Sequence, residues 1–308
     1  MRHMRTLRWF SAVVVIALSA GPVLADNLML GVPDWDQPDD YAGGTPGLNV
    51  GDYPNWCSPT AGACLMGYWE DVLGVAGLTD GQAHPGSVPF VNPPNAGTFM
   101  QGLWHDGTIE MGWFMDTGGW SSSAMPQYPP KAGWTNLNAI GPGAAAYAIT
   151  AWVDPGTGIS KTAAMNVATS KDTWAPGWGQ GQFQAMWNAY TAEIDAGRPA
   201  LVSFDGWAFV KFEDVTVLDQ NVEKWGLASG AGHTVVGVGY LDANPAQLGD
   251  EWFITQDNKT FTGQYVAVAL NWQDTLWRQN DYVSVPEPAT MGLAAVGGLL
   301  LALRRRRA

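Results

Sequence analysis

Apolar positions along the chain change period several times, and each change predicts an element. Residues 55–68 read Asn-Trp-Cys-Ser-Pro-Thr-Ala-Gly-Ala-Cys-Leu-Met-Gly-Tyr, in which Ala61, Cys64, Leu65 and Tyr68 share one stripe. That spacing predicts a helix from Cys57 to about residue 73. Pro59 suits its first turn, where a missing N–H costs nothing, and the small residues that follow let the helix pack closely against a neighbour. The helical period returns at Phe183, Met186, Trp187, Tyr190 and Ile194, predicting a helix over 182–196 capped by Gly197. Beyond it the pattern shifts to β-branched and apolar runs. These predict strands over 200–204, 208–218, 232–241, 251–256 and 264–270, so the second half reads as mostly antiparallel sheet. Between the two helical patterns, 81–94 and 118–181 are broken by Gly and Pro into loops and short elements.

The two ends carry a different pattern. Arg2, Arg5 and Arg8, an apolar run over 9–20 and Val23-Leu24-Ala25 form the three parts of a secretory signal peptide, with cleavage expected after Ala25. At the other end Val285-Pro286-Glu287-Pro288 precedes an apolar run over 291–303 and four arginines. In all three parts this tail resembles the PEP-CTERM sorting signal of Gram-negative bacteria. Either run is shorter than the about 20 residues a permanent span needs. The tail's resemblance implies transient membrane association, cutting by an exosortase near the Pro-Glu-Pro, and delivery to the envelope, the outer surface or beyond. Residues 26–284 are then the body.

Charge narrows the partners. Seven of the 15 basic residues lie in the two terminal segments, which leaves eight against 27 acidic ones in the body. Nucleic acid and anionic membrane surfaces are poor partners for such a field. Asp34, Asp36, Asp39 and Asp40 crowd one Gly/Pro-rich stretch without the spacing of a calcium loop, and read as a solvated acidic loop. The histidines and cysteines lack zinc-ligand spacing, so neither a metal nor another cofactor is expected.

The candidate chemistry is that of a cysteine nucleophile. Cys57 falls at a helix N-terminus, where backbone N–H groups and the positive end of the dipole favour the thiolate. Of the histidines, His3 lies in the signal segment and His84 and His105 in stretches without regular period. His233 opens the predicted strand Gly-His-Thr-Val-Val-Gly-Val-Gly-Tyr-Leu. The next strand, Glu-Trp-Phe-Ile-Thr-Gln, ends in Asp257-Asn258, and antiparallel pairing of the two brings His233 and Asp257 together. Cys64 is seven residues beyond Cys57, about 10 Å along a helix and beyond disulfide reach, so it reads as a core residue; a bridge requires a non-helical segment.

The Cys-Ser-Pro-Thr-Ala helix start, the Gly-His-Thr-Val-Val-Gly-Val-Gly-Tyr strand and the Ile-Thr-Gln-Asp-Asn strand end, in the order Cys57, His233, Asp257, resemble papain-like cysteine peptidases. The similarity is to the bacterial branch related to the double-glycine leader peptidases, and extends to the helix, turn and strand over 192–204. The resemblance implies an α+β, papain-like fold, in which an N-terminal helical lobe with the Cys57 helix packs on a C-terminal antiparallel sheet. It implies hydrolysis of a peptide or protein substrate through Cys57, His233 and Asp257, with Gln37 as the upstream oxyanion donor, and a helical piece near 98–104. Exosortase and signal peptidase are the implied processing partners.

Ser58 stands where the family usually has Gly, and Cys57 and His233 lie 176 residues apart against about 130 to 150 in papain-type enzymes. Tryptophans collect over 104–178. Ser58, the lack of a glutamine nearer to Cys57 than Gln37, and this tryptophan-rich insertion around 118–181 motivate a second reading, a non-catalytic surface or matrix binding module on the same fold, with glycans as candidate ligands; core packing is the commoner use of tryptophan. A third reading keeps the chemistry at the same cysteine and changes the acceptor, giving transpeptidase or amidase activity.

Overall fold

The structure, a computed structural model, describes residues 26–34, 56–79, 107–119, 134–153, 160–164, 167–174, 179–242, 249–256, 264–269 and 276–285. In chain order its elements are β1 (Asp26–Leu28), α1 (Cys57–Asp71), α2 (Gly107–Phe114), α3 (Leu137–Ile149), β2 (Trp152–Val153), β3 (Ser160–Lys161), β4 (Ala168–Thr173), α4 (Gln180–Asp195), β5 (Ala200–Val217), β6 (Gln220–Asp242), β7 (Glu251–Gln256), β8 (Val266–Ala269) and β9 (Trp277–Ser284). This is the α+β arrangement that the pattern predicts, helices mostly first and sheet mostly last.

A seven-stranded sheet carries the order β4-β9-β5-β6-β7-β8, with β1 paired to β6. Its centre is covered on both faces. Ser203 and Thr234 turn their hydroxyls toward Ser58 of α1, whereas Val202 and Gly237 lie against Tyr190 of α4. Burial on both sides explains why Val235 to Tyr240 reads as a continuous apolar run and not as an alternation. On the α4 side Phe183, Trp187, Tyr190, Phe253 and Trp277 pack mostly edge to face, with Tyr190 and Phe253 centroids 4.4 Å apart. The predicted cap of α4 is present: Gly197 sits at φ +72°, in the left-handed region that glycine enters freely.

Two strands differ from the expected bounds. The strands expected over 200–204 and 208–218 are one strand, β5, bulged between Phe204 and Gly206 and twice more farther on. His233 does not open its strand, because β6 starts at Gln220; β6 pairs with β5 up to Ser229 and again from His233, and the Gly-rich residues 230–232 between them form a bulge opposite Phe204 and Gly206. The helix expected near 98–104 lies outside the described residues, and α2 forms just beyond it. Within 118–181, α3 reaches 13 residues and β4 joins the main sheet beside β9, so these parts belong to the body's own layers.

The β5–β6 hairpin closes through a two-residue turn, with Val217 opposite Gln220 and Leu218 and Asp219 at φ +46° and +62°. Both angles are left-handed, the signature of a type I′ turn, which Asn-Gly fits far better than Leu-Asp. Leu218 is exposed and gives up little packing. Replacing the pair by Asn-Gly is expected to stabilise the protein by about 1 kcal/mol, read as a rise in the urea midpoint at constant slope.

Candidate functional site

The site begins at the first turn of α1. The ladder opens with Thr60 N–H donating to the Trp56 carbonyl at 3.1 Å, and the Thr60 hydroxyl donates to the same oxygen. Pro59 has no N–H, so the N–H groups of Cys57 and Ser58 lie ahead of the ladder at the positive end of the helix. All thirteen consecutive residues from Cys57 to Trp69 are buried, as befits an element packed on every side. Small residues make this possible: a Cβ on Gly62 would stand 2.7 Å from Met115 and 2.9 Å from Met111, the contacts that seat α2 and the turn after it. Neither cysteine is in a disulfide, and Cys64 is buried in the core, as the helical reading requires.

The second wall is the middle of the sheet. His233 on β6 stands opposite Phe204 on β5. Cys57 and His233, each about 6% exposed, line one cavity of about 170 Å³, shared with Ser58, Thr234, Trp134 and Phe204. Sequence elements 176 residues apart therefore meet across the gap between α1 and the sheet. β7 pairs antiparallel with β6, as expected, and ends at Gln256 opposite Val236. Gln256 in turn donates to the Val32 carbonyl at 2.6 Å, which ties the strand end to the segment after β1. Asp257 and Gln37 lie outside the described residues.

Several lining residues escape sequence reasoning. Trp134, 54% exposed, stands over the backbone of Gly232 just before the histidine. Its neighbours in the tryptophan-rich region, Trp113 and Trp174, are buried and act as core. Asp205 also lines the cavity, but its carboxylate pairs with Arg278, making a charged rim held in place from β9. Ser203 and Thr234 add hydroxyls from adjacent strands. Trp134 belongs to the tryptophan-rich region already singled out, but no signal in the sequence distinguishes Asp205, Ser203 or Thr234, since each takes its place only once β5 and β6 are in register.

Behind the cavity sits a buried carboxyl. Gln279 donates through one nitrogen to the Leu137 carbonyl at 2.7 Å and to Asp281 Oδ2 at 2.6 Å, so β9 supports the start of α3, whose Leu137 lines the cavity. Burial pushes the Asp281 carboxyl up from 3.8 to about 6, against the hydrogen bonds from Gln279 and the Gly141 N–H and the charge of Lys171.

The family model of the Peptidase_C39 like family matches residues 29–284, nearly the whole body. The chain belongs to the C39-like peptidase family. A second model, the PEP-CTERM protein-sorting motif, matches 284–307 and marks this C39-like protein for export to the cell envelope or surface by way of exosortase processing. A crystal structure from Bacillus anthracis described as a C39-like peptidase aligns over 84% of this chain and 98% of its own, at 13% identity and a TM-score of 0.36. No curated protein sequence matches the chain.

Proposed function

We propose that this C39-like protein is an exported cysteine peptidase that cleaves peptide bonds by acyl transfer at Cys57. One observation carries the reading: Cys57, at the N-terminus of a buried helix, and His233, on the central strand, line the same cavity. In the proposed cycle Cys57 Sγ attacks the scissile carbonyl as thiolate, and His233 holds the proton the thiol has given up. The carbonyl oxygen takes the negative charge and is met by the Cys57 backbone N–H, with Gln37 as the second donor. Collapse breaks the C–N bond, His233 passes its proton to the leaving amine, and a thioester remains. Water, deprotonated by His233, then hydrolyses the thioester and restores the thiol. Asp257 orients the imidazole; it follows directly on Gln256, whose partner Val236 is three positions from His233, which supports that role. Removal of residues 1–25 by signal peptidase and of the tail by an exosortase, in a Gram-negative envelope, completes the reading.

The test is the rate at which Cys57 reacts with iodoacetamide across about pH 4 to 9, followed by peptide mapping, with His233→Ala alongside. The expected result is reactivity persisting well below the ordinary cysteine range of about 8.5, and a fall of about 10- to 100-fold at pH 6 in the variant. An ordinary thiol titration in both proteins would instead favour the binding module, for which the half-exposed Trp134 at the cavity is the specific observation.

A further inference from the structure

Ser58 Oγ donates to Thr234 Oγ1 at 2.9 Å, and Thr234 Oγ1 lies 3.0 Å from Ser203 Oγ. All three residues are buried, at 4%, 3% and 1% exposure, and all three line the cavity. The first two have a particular place in the chain. Ser58 follows Cys57 and Thr234 follows His233, so the hydroxyl pair bridges α1 to β6 one peptide unit behind the two candidate catalytic groups. Ser203 extends the bridge to β5, where it stands directly opposite Thr234 in the register.

We propose that Ser58 and Thr234 are positioning residues whose hydroxyl bond fixes the separation and orientation of Cys57 and His233, with Ser203 bracing the pair from the neighbouring strand. The inference rests on the peptidase reading of Cys57 and deepens it, by giving a function to the one position where this helix start departs from the usual glycine. A glycine at 58 has no group to offer across the gap. With serine there, any slide of α1 along the sheet stretches a hydrogen bond between buried hydroxyls, and a buried hydroxyl left without its partner costs about 1–3 kcal/mol. The proton-transfer geometry between thiol and imidazole tolerates little displacement, since misplacement by about 1 Å costs on the order of 100-fold in rate.

The experiment measures alkylation of Cys57 by iodoacetamide against pH in the full mature protein and in Ser58→Ala, Thr234→Val, the double variant and Thr234→Ser. Urea unfolding accompanies each as a check on the fold. The expected result is a loss of about 3- to 10-fold in the low-pH rate for each single variant, with the curve moved toward an ordinary thiol. The double variant loses no more than the worse single one, because both break the same bond. Thr234→Ser, which keeps the hydroxyl, recovers at least half of the lost rate. A purely structural role would lower stability in Ser58→Ala or Thr234→Val and leave the pH curve of the folded protein where it was; that result overturns the inference alone if His233→Ala still collapses the curve. Additive losses in the double variant overturn it as well. A wild-type Cys57 that titrates as an ordinary thiol removes the peptidase reading and this inference together.

Discussion

Lys161→Met is expected to lower the stability of the protein by about 3 kcal/mol, a fall of about 6–12 °C in Tm for a body of this size. Lys161 is 2% exposed, and its ammonium serves as the C-terminal cap of α3. Nζ donates to the carbonyls of Tyr147 at 2.6 Å and Thr150 at 2.8 Å, and stands 4.4 Å from the centre of the Tyr147 ring. Thr150 is the residue that caps α3, and the Tyr147 carbonyl also accepts from the Thr150 N–H at 3.2 Å, so the ammonium is a second donor there and supplies the donor that the helix end lacks at Thr150. The positive charge also lies at the negative end of the helix dipole. Methionine keeps the length and apolar character of the stem, so the measured loss isolates the ammonium. Replacing a buried charge is often harmless when its partners leave with it, but here the carbonyls stay behind. Urea unfolding at neutral pH decides the matter; a loss under about 1 kcal/mol would mean that desolvation of the ammonium already cancels its hydrogen bonds.

Asp281→Asn is expected to act in the opposite direction, and only above a defined pH. The folded carboxyl titrates at about 6 against an ordinary value of 3.8, so the native state holds this proton more tightly than the unfolded chain does. Its favourable contribution is complete below about 3.8 and is lost as the pH rises through about 6. The difference amounts to about 3 kcal/mol between the two limits. Asparagine mimics the protonated group in shape and can still accept from Gln279 or the Gly141 N–H. The variant should therefore match the wild type near pH 4, gain up to about 3 kcal/mol at pH 8, and show no slope between them from this position. Unfolding free energies at pH 4.5, 6 and 8 measure it. A variant less stable than wild type at pH 8 would show that the attraction of Lys171 for the carboxylate outweighs its burial.

The contrast between α1 and β9 shows what the sequence can carry. The Cys57 helix is legible because its signals are local: a proline in the first turn, small residues, and an apolar stripe at the right period. The strand of His233 is legible because burial on both faces leaves an uninterrupted apolar run. β9 is not legible. Its sequence Trp-Arg-Gln-Asn-Asp-Tyr-Val-Ser holds three successive polar residues, Gln279 to Asp281, at no more than 1% exposure. Each is satisfied from elsewhere: Gln279 by Leu137, Asp281 by Gln279 and Gly141, Asn280 by Trp277 and Tyr282. Such a strand becomes buried only after α3 is present, and α3 with its internal Pro142 carries little helical signal of its own. The site divides in the same way. Cys57 and His233 stand out by residue type and local setting. Trp134, Asp205, Ser203 and Thr234 come to the cavity through strand register and the packing of α3, which no window of sequence contains.

The position of β9 also governs how the body is tethered. Its residues Gln279 to Asp281 are bonded to β4 on one side and β5 on the other, and Val285, directly after it, is buried. Only five residues, 286–290, separate that anchor from the apolar run of the sorting tail. Fully extended they reach at most about 18 Å. If the apolar run stays in the membrane until the tail is cut, as the proposed reading has it, the protein is held until then on a leash too short for it to tumble away from the membrane face. Any tug on that leash is borne in shear by a strand clamped between two others, the direction in which a ladder of hydrogen bonds must fail all at once and not one by one.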